Sequence, residues 1–304
     1  MSDQVAWAGG TRGTWLRTID GGATWRGGTV PGADSLQFRD VNALDERTAW
    51  LLSIGNGAAS RIYRTDDGGA SWALQFRNDD PKRFYDCFGF WDAQRGLVIG
   101  DAVGGEMDLL ITTDGGAHWT RVPALSLPAA QPNEGSFAAS GTCVAIGPRG
   151  RAWIVMSTPT RARLLRTADY GRSWALETLP ITTHEGSGPQ SVTFRDAQYG
   201  MVLGGGAATK PGDTLIAVTA DGGATWTPRA SPAFIVGTWG GSWVPGARVP
   251  TVVAVGPNGI AYSRDDGRSW VPVDSGNYWS IGFASARAGW AVGTQGRITR
   301  VGGW

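Results

Sequence analysis

The sequence is poor in the residues from which most catalytic and metal centres are built. It holds two cysteines, Cys87 and Cys143, and two histidines, His118 and His184, none of them paired at ligand spacing. That scarcity argues against a structural or catalytic zinc site, and no metal or cofactor is expected. The two cysteines lie far apart and read as buried free thiols, with one disulfide as the alternative. Excess charge of either sign is also missing: 27 basic residues face 26 acidic ones. A balance of that kind leaves no electrostatic footprint for nucleic acid or an anionic membrane surface. No uncharged run approaches the ~18 apolar residues of a membrane span, so no membrane insertion is expected. The first residues, Met1-Ser2-Asp3-Gln4, carry neither the basic nor the apolar region of a secretory signal. Charged residues make up only 17% of the chain, against a usual ~25%, which disfavours long charged helices.

What the chain does have is glycine and tryptophan, 47 and 16 residues respectively. Glycine stands at roughly twice its usual ~7%, while so many indoles form an apolar payload that a disordered chain would not carry. The composition therefore predicts a folded, turn-rich, all-β protein. One pattern recurs six times: [S/T]-x-D-x-G-x-[S/T]-W, in which His118 replaces the second hydroxyl residue of the third copy. Its aspartates are Asp20, Asp67, Asp114, Asp169, Asp221 and Asp265, and its tryptophans Trp25, Trp72, Trp119, Trp174, Trp226 and Trp270. Successive aspartates are 47, 47, 55, 52 and 44 residues apart, a period suited to one four-stranded propeller blade. Each copy follows a short β-rich run, such as Arg61–Arg64, Leu109–Ile111 or Leu164–Arg166, and reads as a hairpin turn. The carboxylate accepts turn N–H groups, glycine supplies positive φ, and Trp packs between sheets. These twelve residues are assigned a structural role. One carboxylate per turn is poor coordination for calcium.

This repeat resembles the bacterial neuraminidase repeat, or Asp-box, of the sialidase-like propeller superfamily. The Thr-x-Asp-Gly-Gly-x-x-Trp form, with phrases such as Phe38-Arg39-Asp40-Val41 and Gly289-Trp290-Ala291-Val292-Gly293, is most similar to bacterial relatives of the photosystem II stability/assembly factor family. The resemblance implies a β-propeller and an assembly or binding role. It does not by itself name an activity.

Laying the repeats out as four-stranded units places inner strands near Leu36, Phe84, Ser136, Ser191, Ile235 and Trp279. The first repeat starts at its second strand, Val5–Ala8, and the last runs through Trp279–Phe283, Trp290–Val292 and Arg297–Val301 without a closing motif. Five complete and two partial repeats predict seven blades; merging the ends predicts six. With no linker between repeats, residues 1–304 are expected to form a single domain. The missing first strand suggests a lost upstream segment and an exported or periplasmic protein without its leader; the compartment itself stays open.

In a propeller, variable loops on a rigid scaffold carry binding. The segments leading into inner strands carry Lys82, Arg83, Tyr85 and Asp86, then Glu134, then His184 and Glu185; loops joining second to third strands carry Asp101, Glu106, Arg161, Arg163, Lys210 and Asp213. These two sets of loops are expected on one face, which then holds both lysines, one of the two histidines and three of the five glutamates, Glu106, Glu134 and Glu185. If the protein is an enzyme, Tyr85, Glu134, His184 and Glu185 are the candidates for its chemistry. Arg39, Lys82, Arg83, Asp86, Asp101 and Lys210 are the binding candidates. A sialidase needs an arginine cluster, a tyrosine nucleophile and an acid, and Phe38-Arg39-Asp40 and Phe194-Arg195-Asp196 look instead like repeated strand-end ion pairs. Trp239, Trp243, Tyr278 and Trp279 read as surface aromatics able to stack on a sugar, or as packing. Gly204–Gly206 and Gly104-Gly105 read as loop glycines. Two functions follow: a monomeric, non-catalytic scaffold that presents a loop-rich central face to a protein or peptide client, or a hydrolase of glycosides, esters or phosphoesters. The ligand is a peptide in the first and a carbohydrate-like small molecule in the second.

Overall fold

The computed structural model describes residues 2–231 and 237–304. Its contacts gather into two compact units, Met1–Asn133 and Glu134–Trp304. In the first unit, β1 (Ala6–Gly9), β2 (Thr14–Thr18) and β3 (Arg26–Thr29) form a three-stranded sheet. Next come β4 (Gln37–Ala43), β5 (Ala49–Ile54), β6 (Arg61–Thr65) and β7 (Ala73–Arg77), then β8 (Tyr85–Phe90), β9 (Gly96–Val103), β10 (Glu106–Thr112) and β11 (Thr120–Arg121). The second unit begins with β12 (Val144–Ile146), β13 (Ala152–Thr158), β14 (Arg161–Thr167) and β15 (Ala175–Leu179). It continues with β16 (Ser187–Phe194), β17 (Gly200–Gly206), β18 (Ile216–Thr219) and β19 (Thr227–Arg229), then β20 (Gly240–Trp243), β21 (Val252–Gly256), β22 (Gly259–Ser263) and β23 (Val271–Asp274). A three-stranded sheet of β24 (Tyr278–Ser285), β25 (Ala288–Gly293) and β26 (Ile298–Val301) ends the chain. All pairings are antiparallel between sequential neighbours, and no α-helix occurs among the described residues. The protein is a seven-bladed β-propeller, and the six-bladed alternative falls. The two partial repeats form the two three-stranded blades.

The six repeated turns share one hydrogen-bond scheme. In the first, the Thr18 hydroxyl donates to Asp20 Oδ1 at 2.7 Å and accepts the Gly22 N–H at 2.9 Å, while Asp20 Oδ1 accepts the Thr24 N–H at 2.9 Å. His118, which replaces the hydroxyl residue in the third copy, brings Nδ1 to 2.7 Å from Asp114 Oδ2. These donors hold Asp20, Asp67 and Asp221 at a pKa of about 2, the hydroxyls of Thr24, Ser71 and Thr225 contributing most; at Asp114, also about 2, the backbone N–H of His118 leads.

The motif tryptophans are half-buried; the fully buried indoles are Trp50 on β5 and Trp153 on β13. Each unit shows how they cooperate. In the first, Trp50 stacks on Phe90 at 4.1 Å, Phe90 meets Trp119 edge-on at 5.8 Å, and the Trp50 indole donates to the Gly115 carbonyl at 3.0 Å. In the second, Trp153 stacks on Phe194 at 3.6 Å, Phe194 meets Trp226 at 6.2 Å, and Trp153 donates to Gly222 at 2.8 Å. The turn of one blade therefore receives the indole N–H of the blade before it, satisfying a buried donor where two sheets meet.

Several expectations are corrected. Both cysteines are disulfide-bonded and no free thiol exists; sequence separation carries no information about oxidation state. Ser136 does not begin a strand, because β12 starts at Val144 and the segment before it makes only an isolated bridge, Gly135 to Ser157. Gly204–Gly206 lie inside β17, not in a loop; a Cβ on Gly204 would stand 2.7 Å from the Gly188 carbonyl oxygen. Trp243 and Tyr278 are buried, so neither is a surface aromatic. The strand expected near Ile235 lies outside the described residues.

Candidate functional site

The candidates in the first unit sit on β8, β9 and β10. Tyr85, Gly100 and Asp108 form one row across the three strands. Glycine is required at its centre: a Cβ on Gly100 would meet the Tyr85 ring at 2.9 Å. With that space open, the phenol donates to Asp108 Oδ1 at 3.3 Å and accepts from Arg121 Nη2 at 3.2 Å. Asp108 is fully buried, ion-paired with Arg83 Nη1 at 2.8 Å and with Arg121. Arg83 also reaches Asp80 at 2.9 Å, and Asp80 Oδ1 accepts the backbone N–H of Lys82. Burial raises the Tyr85 phenol above its ordinary range, with Arg121 and Arg83 pulling the other way. The tyrosine is wholly buried and tied to its partners, an arrangement that orders the β8–β10 end and ill suits a nucleophile. Sequence reasoning missed Asp108 and Arg121, because the row that joins them to Tyr85 exists only once the strand register is known.

Asp86 and Asp101 form a second group. β8 carries one surplus residue between the pairs Tyr85–Gly100 and Cys87–Ile99, and that residue is Asp86. The same irregularity recurs in other blades, where the surplus residue is Arg39 in β4, Gln190 in β16 and Trp279 in β24. Bulges of this kind bend the strand and re-aim a side chain. Asp86 is fully buried, and burial, followed by the charge of Asp101, lifts its pKa well above the carboxylate range. Arg39 is half-buried with Nη2 on Gln37 Oε1 at 3.0 Å, and the neighbouring Asp40 is buried with Oδ2 accepting the Phe88 N–H at 2.9 Å. Burial raises Asp40 to about 8.

In the second unit, Glu134 is buried and held by Arg163, whose Nε donates to Oε1 at 2.5 Å and whose Nη2 contacts Oε2. Arg163 is itself a buried residue of β14, so this pair is a satisfied ionic joint and not a loop group. His184 Nε2 lies 3.0 Å from Asp213 Oδ2, which also accepts the Lys210 N–H at 2.7 Å. The Asp213 pKa is lowered: burial raises it, and the Lys210 N–H and His184 outweigh that. His184 bridges Ser187 across a tight turn whose tip exposes Glu185. Arg195 does pair with Asp196, at 3.4 Å.

Each unit thus gathers part of the predicted set: Arg83 and Tyr85 around Asp108, Asp86 beside Asp101, and His184 with the Lys210 loop. Their class is that of a loop-decorated seven-bladed propeller. Among solved structures, the chain is similar to one described as YCF48 bound to D1 peptide, with 18% identity, a TM-score of 0.65, and coverage of 100% of this chain and 89% of that one. YCF48 from Cyanidioschyzon merolae is 17% identical, with a TM-score of 0.64 over 98% of this chain and 92% of that one. A Mycobacterium tuberculosis puromycin-hydrolyzing peptidase is 14% identical, with a TM-score of 0.58 over 99% of this chain and 52% of that one. At these identities the likeness is one of fold. No family model matches the chain, and no curated protein matches it.

Proposed function

We propose that this propeller is a non-catalytic binding scaffold for a protein or peptide segment, with Arg39, Lys82, Arg83, Asp86 and Asp101 as the binding candidates of the first unit and Lys210 as that of the second. The observation that carries this reading is the engagement of the groups a hydrolase would need: Tyr85 is buried between Asp108 and Arg121, and Glu134 is locked by Arg163. A solved structure of similar fold described as bound to a peptide supports it. Assignment of the repeats to the Asp-box type, and of residues 1–304 to one domain, belongs to the same proposal. The rival reading retains one favourable feature, the His184–Asp213 pair, which orients an imidazole as hydrolases do.

A displayed library of random peptides and a panel of glycoside, ester and phosphoester substrates separate the two. Saturable peptide binding without turnover is expected. Turnover that disappears in His184→Ala while the melting temperature holds would replace the scaffold with the hydrolase. Glu134→Gln and Tyr85→Phe are expected to lower stability and leave the substrate panel blank.

A further inference from the structure

Asp86 is 1% exposed, yet its Oδ2 has no hydrogen-bond partner among the described residues. Buried carboxylate oxygens are rarely left that way, and such an atom calls for an explanation. Its surroundings supply one. β9 is bulged against β10: Asp101 and Ala102 stand between the pairs Gly100–Asp108 and Val103–Glu106, where β10 has only Met107. Two adjacent strands therefore each carry a bulge, one at Asp86 and one at Asp101, and the charge of Asp101 reaches Asp86. Bulges that re-aim side chains are enriched beside functional sites. Asp101 is half-buried and therefore reachable, while Asp86 is fully buried.

The sign of the group excludes an anion. A hard metal ion takes six or more oxygens, and among the described residues no three His, Cys, Asp or Glu side chains gather as a ligand set. The guanidinium groups of Arg83 and Arg121 pair with Asp108. An incoming planar cation, by contrast, matches carboxylate oxygens with its fork of donors. We propose that Asp101 and Asp86 form a recognition site for the guanidinium group of an arginine side chain in a peptide ligand, Asp101 making the contact and Asp86 acting as the buried counter-charge. This deepens the binding reading above by naming the chemistry of one ligand side chain. An opposite charge favours the ionised carboxylate, so the guanidinium acts against the burial that raises the Asp86 pKa.

The test is calorimetric titration of the full chain with acetyl-Gly-Arg-Gly-amide and with its citrulline counterpart, which keeps the shape and removes the charge. The arginine peptide is expected to bind at least about tenfold more tightly, and Asp86→Asn and Asp101→Asn each to remove that preference, as loss of a charged hydrogen-bond partner does. Asp66→Asn, an exposed carboxylate paired with Arg64, is the control and should leave it intact. Thermal melts establish that the variants fold; Asp86→Asn removes a buried carboxyl and should melt no lower than the parent. Equal binding of the two peptides, no binding of either, or an unchanged preference in both variants overturns the proposal. If the random library still yields binders without arginine, the scaffold reading stands and only this site falls; if the library yields none, the scaffold reading falls as well.

Discussion

Asp40 shows how one buried side chain couples this fold to pH. Its carboxyl is fully buried, accepts the Phe88 N–H and is raised to about 8. A raised folded-state pKa contributes stability that is complete below the unfolded value near ~4 and is lost as pH rises through 8. Asp40→Asn keeps the acceptor for Phe88 and cannot ionise. Its stability relative to the parent should therefore climb from pH 4 to pH 8, as urea unfolding at several pH values would measure; a difference that stays flat would contradict the burial argument. Trp50, stacked on Phe90 and bonded to Gly115, is the residue whose loss should cost most. Trp50→Ala is expected to destabilise by about 3–5 kcal/mol. Little of this was readable beforehand: Asp40 looked like half of an ion pair with Arg39, because a sequence displays charge and says nothing of desolvation.

At the scale of the element, the repeated turn carries most of the structural information. Its hydrogen bonds hold Asp20, Asp67, Asp114, Asp221 and Asp265 at a pKa of about 2, so what they contribute is present above about pH 4 and is lost as pH falls toward 2. Near-ultraviolet circular dichroism of the indoles should accordingly collapse on acidification within that window. Glycine acts at specific points. Gly69 has φ +88°, and a Cβ there would enter the Trp15 ring, whereas Gly104, at φ +64°, faces open space. Gly104→Ala should cost only the left-handed penalty, roughly 1–2 kcal/mol, and Gly69→Ala distinctly more by thermal melting. The turns were legible because side-chain pattern and backbone requirement coincide in eight residues. The bulges were not, since a surplus residue in a strand leaves no mark until the partner strand is known. Ser136 failed for a related reason: repeat spacing locates a blade, and the residues after Ser136 connect to β12 without joining its ladder.

For the whole molecule, the blade count was legible because it rests on spacing, which survives errors at every individual boundary. Chemistry was less so. Glu134 and Tyr85 proved to be held by Arg163, Arg121 and Asp108, partners from other strands that no linear pattern announces. The disulfide is the other global feature that the sequence concealed. Thiol titration of the denatured, unreduced protein should find no free thiol, and two after reduction; two before reduction would contradict it.

The surplus residues Arg39, Asp86, Gln190 and Trp279 occupy the same register position in four blades and differ in every chemical respect: cation, acid, amide and indole. Ladder partners on either side are left in place whichever side chain stands there. The fold thus keeps its ladder and the chemistry of these four side chains at separate addresses, so that exchange of a single letter at one of them changes what stands there without renegotiating how the strands pair.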